Sequence, residues 1–566
     1  MGQQAEKRLD LLLLLGGFLL GLSLRLMALT AKSPWTDEFS TMAFSLGHGF
    51  TSVPLDRAIS LSALMQPLQP DPATQASDVV TRLLSESNHP PLYFVLAHWW
   101  MQAFPLKDRD SLLMAARLLP ALLGALSIPA MFGLGWLAFR SQLVALFCAM
   151  AIALSPYAIF LAQEARHYTL SILLAIASLA CLASAVRHLY RHQPLPLTLA
   201  GVWVAVNWIG IATHYFFSLT LAAQAMAFVP LVWQQRSKWQ LSELQRWLGV
   251  AIASGVGGLI WLPVWRNGLG SELTAWIAQD SRTGFEWLQP IFQLIAAWLT
   301  TISLLPVEAD NPAVVLVSGT IMISFFLWLL PILLGALKIL WRSSATQGMT
   351  QLFGGFVLSA IALFLGITYF FGIDLTRGAR YNFVYFPGVI LLVGACLALC
   401  WKLPKLTSQW FRLPRCRMSG KLVVILVGVM GLASSLTVAG NLGYQKYYRP
   451  DLFVPQMVAA READAAILVA TTHRTHVQVG EMMGIAWEVE RQQFSEPPQF
   501  LLARETSDPQ APQQVLQDTL TQLPRPLDLW LVNFRVPVEL ASQNCVVDSA
   551  IAASVDGYQT QLYRCR

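Results

Sequence analysis

About eleven separate runs of some 20 apolar residues punctuate this 566-residue sequence, and no other feature limits its fold as strongly. They lie near 8–30, 111–138, 141–160, 162–186, 196–214, 215–235, 246–265, 312–341, 351–371, 381–402 and 421–441. A helix needs roughly 20 apolar residues to cross a bilayer. Only 12% of the residues are charged, against about 25% in a soluble domain. These observations predict an α-helical polytopic membrane protein. The first run follows Lys7 and Arg8 and reaches about Thr30, a length that suits a spanning helix better than a cleaved signal. The net charge of +6 does not point to nucleic acid, because the basic residues form short clusters between apolar runs rather than a stripe with interleaved aromatics.

Those clusters orient the chain. Lys7 with Arg8, Arg187 with Arg191, Arg236 with Lys238, Lys338 with Arg342, and the series Lys402, Lys405, Arg412, Arg415 and Arg417 all fall on one side when the runs are counted through. Lys and Arg in short loops mark the cytoplasmic side. The expected location is the plasma (inner) membrane, multi-pass, with a cytoplasmic N-terminus. The outer segments are then 31–110, the turn Ser155–Gln163, the turn at His214, 266–311 and 372–380. The segment from His89-Pro90-Pro91 to about Phe104 reads as a helix on the outer interface, anchored by Trp99 and Trp100. An odd number of spans leaves the tail 442–566 outside.

Strand-like runs at Ala466–Ala470, Phe500–Leu502, Leu529–Val532 and Tyr558–Leu562, with a helical pattern at Gln513–Leu523, make that tail a small α/β extracytoplasmic domain. The expected division is a transmembrane domain over 1–441, including the outer loop 31–110, and a soluble domain over 442–566. Cys545 and Cys565 can pair there in an oxidising compartment. Cys148, Cys181, Cys396 and Cys400 lie in apolar runs and read as core residues. No internal repeat is visible in the sequence.

Chemistry concentrates in the outer segments. Asp37 and Glu38 follow the first span; two adjacent carboxylates can act as a general base with a positioning or metal-binding partner, or simply mark a loop. Glu164, Arg166, His167 and Tyr168 follow Ser155-Pro156-Tyr157. Glu164 and Tyr168 would share a face by the i,i+4 rule, and Arg166 is a cation on the side that usually lacks them. It suits an anionic ligand or a structural pair with Glu164. Asp374, Arg377, Arg380 and Tyr381 share the short loop before the run at 381–402. Arg binds phosphate through a planar fork and keeps its charge, and a salt bridge to Asp374 explains only one of the two arginines. His89 either caps the helix after it or contacts the ligand, and His214 stands at a turn between runs. Arg25, near the outer end of the first run, reads as snorkelling outward. No cofactor is required; a divalent cation fits at Asp37, Glu38 and His214, though no spacing demands it.

The order Asp37-Glu38, His89-Pro90-Pro91-Leu92-Tyr93, Ser155-Pro156 with Gln163-Glu164-Ala165-Arg166-His167-Tyr168, and Arg380-Tyr381 resembles the GT-C glycosyltransferases. The likeness is to the family-39-like group of protein O-mannosyltransferases and lipid A aminoarabinose transferases. It covers roughly 8–402. It implies a polyprenyl- or dolichyl-phosphate sugar donor, inversion at the anomeric carbon, a catalytic acidic pair at Asp37 and Glu38, and donor-phosphate contacts from His89, Arg166, Arg377, Arg380 and Tyr381, supported by Glu164, Tyr168 and His214. His89 stands where the aminoarabinose transferases carry Lys, which argues against that sugar. The expected partners are the lipid-linked donor, a glycan, lipid or protein acceptor, and membrane lipids. A lipid-linked saccharide flippase is the alternative.

Overall fold

Each of the eleven apolar runs falls mostly on a helix. The computed structural model describes residues 2–235, 241–262, 264, 272–278, 282–404, 418–462, 464–492, 494, 496–549 and 554–566. The basic residues Arg236, Lys238, Lys405, Arg412, Arg415 and Arg417, used above for topology, lie outside them.

Six of the described helices are long and apolar enough to cross a membrane: Arg8–Leu26, Arg109–Phe139, Tyr168–Tyr190, Pro312–Arg342, Gln347–Phe370 and Gly420–Ala439. Gln142–Ala153 and Pro156–Ala162 together make a seventh, bent by 56° at the break. Three further apolar helices, Leu197–Thr213, Phe217–Leu231 and Phe386–Lys402, are shorter. The chain is a multi-pass membrane protein. Its lipid-facing chemistry is plain on Pro312–Arg342, where Leu316 is 72% exposed and Leu327 63%; water would penalise such a face, and acyl chains do not.

The chain forms two compact units. Unit 1 comprises Met1–Leu29, His89–Tyr93 and Arg117–Tyr444. Its centre is Phe386–Lys402, most of whose residues are buried. A side chain added at Gly394 would meet the Cys148 backbone nitrogen at 2.8 Å, so glycine lets this helix lie directly against Gln142–Ala153. Polar side chains tie neighbouring helices together. Asn207 donates to Ser254 at 2.9 Å, Ser178 donates to Asn207 at 2.8 Å, and Gln224 donates to Ser178 at 3.0 Å. Such bonds are favoured where no water competes for the polar atoms.

Unit 2 comprises Thr30–Asn88, Phe94–Ala116 and Gln445–Arg566. Its sheet runs in the order β2-β1-β3-β5-β4, with β1 Ala466–His473, β2 Gln499–Arg504, β3 Leu527–Val532, β4 Cys545–Val547 and β5 Thr560–Cys565. β1 pairs in parallel with β2 and β3, while β5 runs antiparallel to β3 and β4. Parallel neighbours need crossovers, supplied here by helices His476–Arg491 and Ala511–Gln522. The four expected strands and the second helix are present; β4 and the helix His476–Arg491 are additional. Cys545 and Cys565 form a disulfide across β4 and β5.

The sequence reading assigned 31–110 to the membrane domain. Most of that segment packs instead with the tail. Ile59 bridges Phe500 on β2, and the Asp56 N–H donates to the Leu502 carbonyl at 3.0 Å. An edge strand exposes unpaired backbone groups, and this segment covers them. The expected interfacial helix is Leu92–Gln102. Trp99 is 60% exposed, as an anchor would be, but Trp100 donates its indole N–H to the Ala115 carbonyl at 2.9 Å and serves packing.

Candidate functional site

In unit 1, polar residues gather where helices stop. The helix Pro156–Ala162 ends at Gln163, and the next begins at Tyr168. Glu164, Ala165 and Arg166 therefore lie in a bend, not on a helix face, which overturns the expected i,i+4 relation of Glu164 with Tyr168. Two capping exchanges hold this bend. Gln163 donates its amide to the carbonyls of Leu24 at 3.3 Å and Met27 at 2.9 Å, beside the end of the first helix. Arg25, at the end of that helix, donates to the carbonyls of Ile152 at 3.0 Å and Ala153 at 3.3 Å. Unsatisfied carbonyls at helix ends attract such donors. Arg25 is therefore fully buried and does not snorkel. Ser155 caps the helix beginning at Pro156 by accepting from Ala158 N–H.

The bend places Arg166 and His167 inside the protein, each about 2% exposed or less. Arg166 Nη2 lies 3.1 Å from His89 Nε2. The helix after His89 begins only at Leu92, so the imidazole reaches Arg166 rather than capping it. Around these groups stands a wall of rings. His167 lies 5.6 Å from His89, 4.7 Å from His214 and 6.0 Å from Tyr93 between ring centroids. His214 in turn lies 5.7 Å from Tyr168, 4.9 Å from Phe383 and 6.2 Å from Tyr381. Arg380 lies over the rings of Trp276 at 5.2 Å and Tyr381 at 5.8 Å, and its carbonyl accepts from Tyr157 Oη at 3.0 Å. His89, Arg166 and Arg380 all act electrostatically on both His167 and His214. Four segments remote in sequence thus bring two guanidinium groups and three imidazoles together. Glu164 is buried in the same bend.

Arg377 and Asp374 belong to a different arrangement. Asp374 is fully buried, and its carboxylate takes Arg282 at 3.1 Å and Arg377 at 3.8 Å. It also accepts from Thr376 Oγ1 at 2.6 Å. Arg377 donates further to the Trp276 carbonyl at 2.8 Å. A buried carboxylate needs such partners. The salt bridge expected at Asp374 therefore engages two arginines, Arg377 and the unforeseen Arg282, and neither is Arg380.

In unit 2, Asp37 and Glu38 occupy the first turn of the helix Thr36–Ser45 rather than a loop. Carboxylates are favoured there by the exposed N–H groups and the helix dipole. Asp37 is half-buried and Glu38 fully buried. The helix His476–Arg491 of the tail supports this turn. A side chain at Gly480 would meet Thr36 Cα at 3.1 Å. The rings of Phe39 and Trp487 lie 5.9 Å apart, and Ser33 donates to Glu488 at 2.5 Å. His476 stacks on Phe50 at 5.4 Å. Burial holds its imidazole down to about 4, against the opposing pull of the Glu86 and Asp37 charges.

His167 and Tyr93 stand within the sequence motifs but carry no assigned role there. Trp276, Arg282 and His476 are absent from the sequence candidates. These three carry no local signal, because only tertiary packing brings them to these groups. Among the described residues no group of three or more His, Cys, Asp or Glu side chains could hold a metal ion.

No protein-family pattern matches the chain, and no curated protein matches it. Among solved structures it is similar to ArnT from Cupriavidus metallidurans bound to undecaprenyl phosphate, with TM-score 0.49 and 12% identity over 99% of this chain and 98% of that one. ArnT in the apo state gives TM-score 0.48 at 12% identity, over 100% and 98% of the two chains. The Archaeoglobus fulgidus oligosaccharyltransferase in complex with Zn and sulfate gives TM-score 0.43 at 12% identity, over 84% of this chain and 61% of that one.

Proposed function

We propose that this chain is an inverting glycosyltransferase of the GT-C, family-39-like type, moving a sugar from a polyprenyl-phosphate donor to an acceptor hydroxyl at the outer face of the plasma membrane. The observation that carries this reading is the gathering of Arg166, Arg380, His89, His167 and His214 within unit 1. Guanidinium and imidazole donors lined by rings suit a phosphate group. The apolar helices that bear them suit an isoprenoid chain.

In this reading the chain crosses the membrane eleven times with a cytoplasmic N-terminus, and the tail 442–566 is extracytoplasmic. The disulfide of Cys545 and Cys565 supports that side for the tail, since disulfides persist in oxidising compartments. Arg166, Arg380, His89 and Tyr381 hold the donor phosphate, with Tyr168, His214 and Glu164 supporting them. Arg377 secures the loop through Asp374. Asp37, aided by Glu38, takes the proton of the acceptor hydroxyl. The acceptor oxygen then bonds to the anomeric carbon as the bond from that carbon to the phosphate oxygen breaks. The electron pair leaves with the lipid phosphate, and the cations stabilise the charge it gains.

The test uses purified full-length protein in lipid vesicles with radiolabelled polyprenyl-phosphate sugars and a panel of glycan, lipid and peptide acceptors. Labelled acceptor is the expected product. Movement of the labelled lipid across the bilayer without any transfer would replace this reading with a flippase.

A further inference from the structure

The helix Tyr168–Tyr190 begins at the histidine-rich cluster and carries a second, unrelated group of cations near its other end. Tyr168 opens it and Arg187 lies in its last turn, roughly 28 Å further along at 1.5 Å per residue. Here a cavity of about 510 Å³ is lined by Arg187, Tyr190, Arg191, Ser344, Gln347 and Gln351 among others. The volume falls in the range of small-molecule sites.

Arg140 and Arg191 both repel Arg187. Among the described residues, none of these three arginines has an ion pair with a carboxylate. Arg187 is fixed in place, donating to the carbonyls of Leu137 at 2.6 Å and Ala138 at 2.7 Å. Arg140 lies 4.2 Å from the Trp136 ring. Arg191 is exposed at the cavity's edge. Like charges held this close raise the energy of the empty site and lower it when an anion enters. Hydroxyl and amide groups from Ser344, Gln347 and Gln351 add hydrogen-bonding capacity for oxygens. Trp136, Tyr190 and Trp341, each more than a third exposed, suit the headgroup level of a bilayer.

We propose that this cavity binds a phosphate-bearing anion, at the opposite end of the helix Tyr168–Tyr190 from the candidate donor cluster. Basic pockets between spanning helices recognise anionic lipid headgroups, and a water-soluble phosphate offers the same oxygens. The site does not depend on the glycosyltransferase reading.

The test is made on full-length protein purified in neutral detergent. Native mass spectrometry counts retained phosphatidylglycerol against phosphatidylcholine, and equilibrium dialysis measures inorganic phosphate. The wild type should retain one phosphatidylglycerol whose binding weakens about tenfold in Arg191→Gln and more in Arg191→Glu, with phosphatidylcholine unaffected. Arg191 is chosen because Arg187 also caps a helix; unchanged melting temperatures would show that both variants fold. Inorganic phosphate bound with the same dependence on Arg191 would instead assign a soluble occupant to the same site. If neither probe binds, or if binding is equal in wild type and Arg191→Glu, the proposal is overturned.

Discussion

The two units place their reactive groups by opposite means. Unit 1 collects guanidinium and imidazole groups from four segments, at 89, 166–168, 214 and 380. Unit 2 places two neighbouring carboxylates on one helical turn and supports that turn with a helix more than 430 residues later in the chain. A cluster assembled from many elements distributes its binding among several donors. A carboxylate pair on one short helix depends on a single packing surface. Losses in unit 1 should therefore be graded and fall on donor binding, whereas losses in unit 2 should be steep and fall on turnover.

The steepest expected effect is that of Asp37→Asn, which should lower turnover about a thousandfold, within the range for a lost general base, while the donor KM and the thermal midpoint stay near wild type. Near-normal turnover would remove the distinction between the units. Arg380→Ala should come next, raising the donor KM and lowering transfer by about a hundredfold in total, with the acceptor KM little changed; equal effects on donor and acceptor would contradict the phosphate role.

Gly480→Val probes the packing surface alone. The added side chain must push Thr36 by a few tenths of an ångström, so turnover should fall by about tenfold with donor affinity intact. If both fall together, the tail serves folding rather than the acidic turn.

A pH effect should distinguish the units as well. His476 is neutral in the folded protein down to about pH 4, whereas an unfolded histidine takes up a proton near pH 6.5. The unfolded state therefore binds more protons between these values. Stability is full above about 6.5 and is lost as pH falls through this window, by less than about 3 kcal/mol because the ring is only partly buried. Hydrogen exchange across 466–491 should accelerate accordingly, and His476→Phe should flatten the profile. The smallest effect is expected at Arg377→Gln. Its partners are Asp374 and the Trp276 carbonyl, so the donor KM should change by no more than about threefold.

Much of this architecture was legible in the sequence because membrane helices and buried strands announce themselves by composition. The runs at 312–341, 351–371 and 421–441 each fall on one helix long and apolar enough to span a membrane, and the strand at 466–470 is the middle one of the three parallel strands in a mixed sheet. The helix His476–Arg491 was missed because its buried face includes Glu481 and Glu488. Glu481 is held by hydrogen bonds from Tyr448 at 2.7 Å and Asn533 at 3.0 Å, so its polarity hid a core position. Arg25 misled for a related reason. Snorkelling is the default for an arginine near a helix end, and the carbonyls that retain it belong to a helix 127 residues away. In the candidate site, chain adjacency revealed Arg166 and Arg380, but the pairing of Arg166 with His89 and of Arg282 with Asp374 depends on tertiary contacts that no spacing encodes.

The central claim is that the cations of unit 1 grip the phosphate of a lipid carrier. Equilibrium binding of a short-chain polyprenyl phosphate, carrying no sugar, to wild type, to the double variant Arg166→Gln/Arg380→Gln and to Asp37→Asn tests it without requiring turnover. We expect the double variant to bind about a hundredfold more weakly and Asp37→Asn to bind like the wild type. Equal binding by the wild type and the double variant would contradict it.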